Sequence, residues 1–594
     1  MVMDYLEMLE AATKARPSSR QYEWMRMGLV AFLHFSLNTF YMKEWGDGTE
    51  DPIRFNPQNC DADKWVGHLA RTGFKLAILT CKHHGGFCLW PSKFTEYSVK
   101  NTPWKQGKGD LVRDFSEACR RHGIKFGVYL SPWDRHDTRY ANDSDAYNEY
   151  FLNQLTELLT GYGPVHEVWF DGACVPVNGK RQHYSWEKYY ALIRELQPDA
   201  VISGIGPDVR WCGNEAGKAR PAEWSVVDLD RNFYAFNRQR CNNTEIGQLG
   251  ENPVWYPSEV DMSIRPNWFY HKSDDVDVRS LHYLIQAYFN SVGHNSVLLL
   301  NVPPDCNGEF HEADVKRLDE FRAWLDDAFA VDYGIGSTIC RLSSTKRDDG
   351  RIIERFRLKL NGGHCFNCIE LAEDILHHGQ LVEEYSMYAE HESGMRKICE
   401  GKTIGFKELV RLEKDCQASE FELETISRAP SKLLPLKFFQ TPHIPDEENA
   451  PSWLYYWGCK YTVPEKQGGE TSLLKSETEP YESRPVGMPQ SLTLTMEAAA
   501  DIQGIAILPQ QDGTHDGIPH NCACMTSQDG EHWTCAFQGE LGNLAENPTY
   551  RKIMFDKVHR NVAYLRLEIQ NTFQNEPYFK LQRCLPILTT REQA

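Results

Sequence analysis

Basic residues are in short supply: Lys and Arg number 64 against 83 Asp and Glu, a formal net charge of −19. No basic cluster offsets that balance, so nucleic acid is disfavoured as a partner. Long apolar runs are missing as well. The opening MVMDYLEMLEAATKARPSSR mixes acids and bases without the apolar core of a secretion signal, and GLVAFLHF at 28–35 is far too short to span a bilayer. No membrane partner is expected. The chain as it stands reads as cytoplasmic, and as secreted if a leader has been removed ahead of residue 1.

Several chemical signatures are absent too. There is no P-loop, no GxSxG elbow and no HExxH, and no GxGxxG opens a helix after a strand. The 18 cysteines are scattered rather than framed in pairs; Cys88 and Cys119 lie inside apolar runs, as reduced buried thiols do. Cys365-Phe-Asn-Cys368 has metal-like spacing but lacks the second pair that zinc needs, and reads as strand packing. His83, His84, Asp134 and His136 offer metal-binding side chains. Adjacent histidines on a strand point to opposite faces, however, so a shared ion is disfavoured. No metal and no required cofactor are expected.

What is present is a recurring strand and helix unit. Strand-like runs occur at GLVAFLHF (28), KLAILT (75), KFGVYL (125), HEVWF (166), AVISGI (200), WSVVDL (224), near Val260, and at SVLLLNV (296). Between them, Leu111, Val112, Phe115, Ala118 and Cys119 form a helical stripe that opens after Asp110 and closes on Gly123. Tyr147 to Leu159 and Trp186 to Leu196 repeat the pattern. About eight such units in 300 residues predict a multidomain α/β plus β protein that begins with a (β/α)8 TIM barrel over residues 1–334. Beyond it the texture turns to short alternating segments such as RIIERFRLKL and SLTLTM, which predict two β-sandwiches at 335–432 and 433–594.

A barrel of this kind carries its chemistry at the C-terminal ends of its strands. Polar and aromatic residues collect there: His34; Lys82, His83 and His84; Tyr129, Trp133 and Asp134; Asp171; Arg210, Trp211, Asn214 and Glu215; Glu259, Arg265 and Trp268. Each alone has a plain structural explanation, since Asp before Gly is a common turn pair and Trp169 or Trp268 would fit a core. Five strand ends bearing such groups together, with His34 inside the first strand, point to a site. Sugars offer CH faces that stack on Trp45, Trp169 or Trp268 and hydroxyls that suit His34, His83 and His84. Asp171 and Glu215, expected on neighbouring strands, supply the two carboxyl groups that cleave a glycosidic bond. Two alternatives stay open: a carbohydrate-binding protein without catalysis, and a glycosidase for another sugar or linkage, because one barrel serves many specificities.

The stretches HFSLNTFYMKEWGDG (34–48), CKHHGGFCLWPS (81–92), GVYLSPWD (127–134), VWFDGA (168–173), RWCGNEAG (210–217) and SIRPNWFYH (263–271), in that order, resemble the α-L-fucosidases of glycoside hydrolase family 29. They look most like the subgroup that cleaves α-1,3- and α-1,4-linked fucose. The resemblance runs from about residue 20 to 330. It implies a retaining mechanism with Asp171 as nucleophile and Glu215 as general acid and base. It further implies a fucose pocket lined by His34, Glu44, Trp45, His83, His84, Tyr129 and Trp268, with Trp169 beside the nucleophile. Trp211 and Arg265 join the candidate substrate-binding residues from the strand ends. Trp268 or Phe269 would face the fucose methyl group, and Lys218, Arg220 and Glu223 the remainder of the substrate. The implied partners are fucosylated, Lewis-type glycans; nothing in the sequence fixes an oligomeric state. ADIQGIAILPQQDGTHDGIPHNCACMTSQDGEHWTCAFQGE at 500–540 resembles a discoidin-type sandwich, a module whose turn loops bind sugar or calcium in some proteins. Asp and Gly are ordinary turn residues, and a structural role is favoured.

Overall fold

The computed structural model describes residues 4–174, 176–177, 179–228, 249–392, 394–446, 459–462, 481–483, 485–511 and 514–589. Among the described residues, ten strands lie at or before position 301: β1 (Leu29–Leu33), β2 (Leu76–Lys82), β3 (Lys125–Leu130), β4 (Glu167–Phe170), β5 (Val201–Gly204), β6 (Arg210–Trp211), β7 (Val226–Asp228), β8 (Pro253–Trp255), β9 (Ser258–Ser263) and β10 (Val297–Asn301). Eight of them form one sheet in the order β5-β4-β3-β2-β1-β10-β9-β6, and every pairing in it is parallel. This is the nearly closed, TIM-like barrel that the alternation of strands and helices predicts. Strands β1 and β10 are buried at every residue, as expected of a parallel sheet covered on both faces.

The helices follow their sequence signals. Leu111–His122 starts on Asp110, whose carboxylate accepts the Arg113 N–H, and stops at Gly123, whose φ of 69° closes the C-terminus. Ser144–Gly161 and Trp186–Leu196 occupy the other two predicted stripes. Cys81, Cys88 and Cys119 are buried thiols. No helix among the described residues is long and apolar enough to cross a membrane.

One predicted barrel strand is wrong. WSVVDL does not enter the barrel; its β7 pairs antiparallel with β8 in a separate two-stranded ribbon. The sixth barrel strand is instead the two-residue β6, with Arg210 opposite Ser258 and Trp211 opposite Glu259. The physical reason is that apolar alternation marks burial, and a ribbon packed on other elements is buried as well as a barrel strand. A pair of residues is too short to show any period.

Beyond the barrel all sheets are antiparallel. Strands β11 (Thr338–Lys346), β12 (Ile352–Lys359), β14 (Val382–His391), β15 (Gly394–Gly401) and β17 (Glu420–Ser427) build one sheet; β13 (Cys365–Leu371), β16 (Glu408–Gln417) and β18 (Lys437–Phe439) build another. Phe356, Leu358 and Phe421 of the first and Phe366, Ile369 and Phe438 of the second share one apolar core, which makes the pair a sandwich. Cys365 is exposed and Cys368 buried on β13, in keeping with strand alternation. The last sheet holds β19 (Cys459–Thr462), β20 (Tyr481–Glu482), β21 (Gln490–Pro509), β22 (Pro519–Ser527), β23 (Thr534–Glu540), β24 (Arg551–Thr572) and β25 (Lys580–Leu588) around its own core, with Leu494, Ile505, Leu565 and Leu581 fully buried.

The chain forms two compact units. The first contains Met1–Phe40, Trp45–Ile264 and Ser280–Asp446; the second contains Glu447–Ala594 together with two short segments from far earlier in the sequence, Tyr41–Glu44 and Arg265–Arg279.

Candidate active site

Within the first unit the C-terminal rim of the barrel gathers Asp171, His34, His83, His84, Tyr129, Trp45 and Trp169. Asp171 takes the first position beyond β4, after the fully buried Phe170, and its side chain keeps 25% of its exposure. Two hydrogen bonds hold it. The Ala173 N–H donates to Oδ1 at 2.7 Å, and the Tyr129 hydroxyl donates to Oδ2 at 3.0 Å. His84 Nε2 stands 3.7 Å from the same Oδ2. Burial, reinforced by the Asp171 charge, pushes the Tyr129 phenol well above its ordinary pKa, so it stays a donor.

The histidine tautomers follow from their partners. Asn301 Oδ1 accepts both the His34 backbone N–H (3.1 Å) and the ring Nδ1 (2.9 Å), while Asn301 Nδ2 donates to Ser263 Oγ. Since an amide oxygen only accepts, His34 carries its proton on Nδ1. Ser131 gives its one proton to the Trp133 carbonyl at 2.7 Å, so at the 2.7 Å contact with His84 Nδ1 it must accept. Neutral His84 thus turns an Nε2 lone pair toward Asp171. A hydroxyl placed here, with one proton, donates to one of these two acceptors, whereas a proton on Nε2 turns His84 into a donor aimed at Asp171. Burial, with His84 and His34 nearby, drives the His83 pKa well below its ordinary value and keeps that ring neutral.

His83 and His84 do not diverge as strand alternation would require. Their ring centroids are 4.1 Å apart, because β2 ends at Lys82 and both histidines lie in the turn beyond it. Among the described residues no group of His, Cys, Asp or Glu is arranged to hold a metal ion. Of the other candidate ligands, Asp134 is buried on Lys82 Nζ at 2.9 Å, and His136 stacks on Tyr97 at 3.9 Å.

Aromatic rings close around these groups. Trp45 meets His84 at 5.9 Å and Trp133 at 5.5 Å, both edge-on. Trp169 stacks on Tyr129 at 5.6 Å with 21° between the planes, and its indole N–H donates to Glu259 Oε2 at 2.7 Å. Trp211, half-buried, donates likewise to Asp261 Oδ1 at 2.8 Å. Under Trp169 lies a fully buried acid pair. Glu167 receives Trp24 Nε1 at 2.9 Å and Ser203 Oγ at 2.5 Å, and Glu259 Oε1 has no partner unless a proton joins it to Glu167. Burial pushes Glu167 up to about 7, and burial with the adjacent Glu167 holds Glu259 well above the carboxylate range. The pair therefore retains a proton at neutral pH.

Glu215 is half-buried in the bend after β6, where Asn214 Oδ1 accepts the Ala216 N–H at 3.1 Å and Ala216 bridges to Met262. It does not lie on a strand next to that of Asp171: β4 pairs with β3 and β5, whereas β6 pairs with β9. The expectation of neighbouring strands fails because Arg210–Trp211, too short to show a period, forms a strand of its own between β5 and Glu215. Arg210 and Glu223 are sequestered in a buried ion pair that Arg220 joins, so Glu223 does not present itself to a ligand.

Glu44, Arg265 and Trp268 belong to the second unit. Glu44, 4% exposed, accepts the Trp268 N–H at 2.9 Å and the Phe269 N–H at 3.2 Å, and His271 Nε2 lies 3.3 Å away. Burial works to raise its pKa, but the His271 contact and the Arg551 charge hold it below the ordinary value. Arg265 is fully buried, paired with Asp275 at 2.9 Å and packed over Tyr270. Trp268 is half-buried, whereas Phe269 is core.

Residues that sequence reasoning passed over do much of the positioning. Asn301 and Ser131 sit at strand ends in SVLLLNV and YLSPWD, so the same strand-end rule points to them. Asp261 lies inside β9, and nothing local marks it.

A family model described as Alpha-L-fucosidase matches residues 12–328. Alpha-L-fucosidase 1 of Arabidopsis thaliana is 38% identical over 428 residues, 66% of this chain and 81% of the relative. A putative alpha-L-fucosidase 1 of Oryza sativa subsp. japonica is 38% identical over 423 residues, 66% and 79% of the two chains. Among solved structures, the chain is similar to a putative alpha-L-fucosidase from Bacteroides ovatus, with a TM-score of 0.69 at 35% identity over 99% of this chain and 98% of that one. It is also similar to a glycoside hydrolase 29 family member from an unknown rumen bacterium, with a TM-score of 0.65 at 30% identity over 97% and 100%.

Proposed function

The chain belongs to the α-L-fucosidase family of glycoside hydrolases, and from that premise we propose an exo-acting, retaining enzyme that removes α-1,3- and α-1,4-linked fucose from Lewis-type glycans. Asp171 attacks the anomeric carbon to give a covalent fucosyl-enzyme while Glu215 protonates the departing oxygen. Glu215 then deprotonates the water that releases fucose, and retention calls for the two carboxyl groups to stand roughly 5 Å apart. The observation that carries this assignment is the convergence of Tyr129 Oη and His84 Nε2 on Asp171 Oδ2. The Tyr129 donor fixes the orientation of this carboxylate, and an ordered nucleophile is what attack at the anomeric carbon requires.

The remaining roles follow from chemistry. His34, His83 and His84 offer ring nitrogens to fucose hydroxyls, and Trp45 and Trp169 offer aromatic surface. Glu44 and Trp268 are assigned to fucose as well, Trp268 to its methyl group; Trp211 is assigned to the substrate, and Arg265 acts through the Trp268 segment that it braces. The barrel at 1–334 carries catalysis, followed by a sandwich whose expected span of 335–432 extends to include β18 at 437–439, and then by a discoidin-like sandwich. A structural role is favoured for the last, in which Asp529 Oδ1 accepts the N–H groups of Glu531 and His532 in a tight turn.

A panel of fucosylated oligosaccharides tests this directly. The α-1,3- and α-1,4-linked trisaccharides release fucose and α-1,2-linked ones do not, and Asp171→Ala abolishes release. If Asp171→Ala stayed within about tenfold of the parent, the nucleophile assignment would fail.

A further inference from the structure

The second compact unit has an odd composition. Residues 447–594 share it with Tyr41–Glu44 and Arg265–Arg279, the two segments that bear Glu44 and Trp268. Hydrogen bonds within that unit explain the grouping. Glu540, at the end of β23, accepts the Glu44 backbone N–H on Oε2 at 2.9 Å. Arg551, at the start of β24 and buried, donates from Nη1 to Asn267 Oδ1 at 3.0 Å and from Nη2 to the Pro266 carbonyl at 3.1 Å. Lys552 Nζ reaches Asp277 Oδ1 at 2.6 Å.

The loop between β23 and β24 fits the same segment closely. Gly542 adopts a φ of +63°, and a Cβ there would fall 2.1 Å from Asn267 Oδ1. Asn267 in turn donates from Nδ2 to Asp274 Oδ2 at 2.8 Å. From Glu540 the contacts run through Glu44 to the Trp268 and Phe269 amides, and from Arg551 they reach the two residues just before Trp268. Both ends of the short path between Glu44 and Trp268 are thus held by side chains that lie about 270 to 500 residues further along the chain.

We propose that the terminal sandwich belongs to the substrate-binding apparatus, with Glu540 and Arg551 as positioning residues that set Glu44 and Trp268 for fucose. This rests on the fucose roles assigned above to Glu44 and Trp268. A carboxylate on a backbone N–H and a guanidinium forked across a side-chain amide and a carbonyl are directional contacts that fix a loop's register, whereas a merely adhesive interface needs only apolar area. Removing either contact loosens the loop without touching any reacting atom.

The test uses the full chain with Glu540→Ala, Glu540→Gln and Arg551→Met. Four quantities are read: KM and kcat for an aryl α-L-fucoside, the inhibition constant of free L-fucose, the thermal midpoint, and hydrogen exchange over residues 264–272. Glu540→Ala and Arg551→Met are expected to raise KM and the L-fucose inhibition constant roughly tenfold and to speed exchange in that segment. Glu540→Gln restores the parent values, because its amide oxygen still accepts the Glu44 N–H. A fall in thermal midpoint with KM, the inhibition constant and exchange unchanged would show a purely structural interface and overturn the proposal. Should Arg551→Met fail to fold, Glu540→Ala decides alone. If the parent neither cleaves fucosides nor binds L-fucose, the functional assignment has failed, and exchange over 264–272 then decides by itself whether these residues position the loop.

Discussion

Tyr129 and Asp171 meet across adjacent strands: the Tyr129 hydroxyl donates to Asp171 Oδ2 at 3.0 Å, while the Tyr129 ring lies against Trp169 two residues before that carboxylate. The register of β3 and β4, which sets Tyr129 opposite Trp169, makes the contact possible. Tyr129→Phe keeps the stacked ring and removes only the hydroxyl. A hydrogen bond to a charged group contributes about 1.5–3 kcal/mol, so kcat/KM for an aryl α-L-fucoside should fall about 10- to 100-fold with the thermal midpoint little changed. An unaltered kcat/KM would mean that the hydroxyl plays no part in orienting the nucleophile.

Ser131 controls His84 from behind. Its hydroxyl accepts from Nδ1 only because its own proton is committed to the Trp133 carbonyl. Ser131→Ala releases the ring and leaves Nδ1 without its acceptor, a loss of about 1 kcal/mol in the bound complex. KM for fucosides should rise about 3- to 10-fold, and Ser131→Thr, which keeps the hydroxyl, should fall between the two. Steady-state kinetics decide it, and an unchanged KM in Ser131→Ala would exclude tautomer control.

The Glu167 and Glu259 pair gives the fold a pH dependence whose sign is fixed. Folded Glu167 is raised from 4.5 to about 7, so the folded state holds a proton that the unfolded chain has released across that interval. This stabilisation is fully present below about pH 4.5 and lost as pH rises through 7. One pKa unit corresponds to about 1.4 kcal/mol, so the rise from 4.5 to about 7 amounts to about 3–4 kcal/mol. Glu259→Gln keeps the acceptor for Trp169 and gives Glu167 a permanent N–H donor, so the thermal midpoint should decline less between pH 5 and 8 than in the parent. Parallel declines in the two proteins would show that the pair does not share a proton.

Much of this architecture is written locally. Asp110 and Gly123 bracket a helix because a capping carboxylate and a left-handed glycine are local chemistry. Asp171, His34 and Tyr129 are legible because parallel strands run as apolar blocks and whatever follows them lies on one rim. Three features are not local. WSVVDL and Arg210–Trp211 exchange roles because burial, the property that patterning reports, does not distinguish a ribbon from a barrel strand. His83 and His84 come together because a turn cancels the alternation assumed for a strand. The grouping of Glu44 and Trp268 with Glu540 and Arg551 depends on pairings across about 270 to 500 residues, and no periodicity in a window carries that information.

Glu215 can be separated from Asp171 by leaving group. A general acid matters most when the departing oxygen is a poor leaving group, as in an oligosaccharide, and least for an activated aryl fucoside. Glu215→Ala should therefore lose Lewis trisaccharide cleavage by at least about a thousandfold while fucosylation by a dinitrophenyl fucoside is largely kept, with added azide yielding fucosyl azide of retained configuration. Equal losses on both substrates would assign Glu215 a binding role instead.

The central claim is that Asp171 forms a covalent bond to fucose. Incubation with a 2-deoxy-2-fluoro-α-L-fucosyl fluoride, which slows the second step, followed by proteolysis and tandem mass spectrometry, reads that bond directly. The peptide containing Val168-Trp169-Phe170-Asp171 should carry one fluorofucosyl group on the Asp171 carboxylate. A label on any other side chain, or turnover of the reagent with inversion and no label, would contradict it.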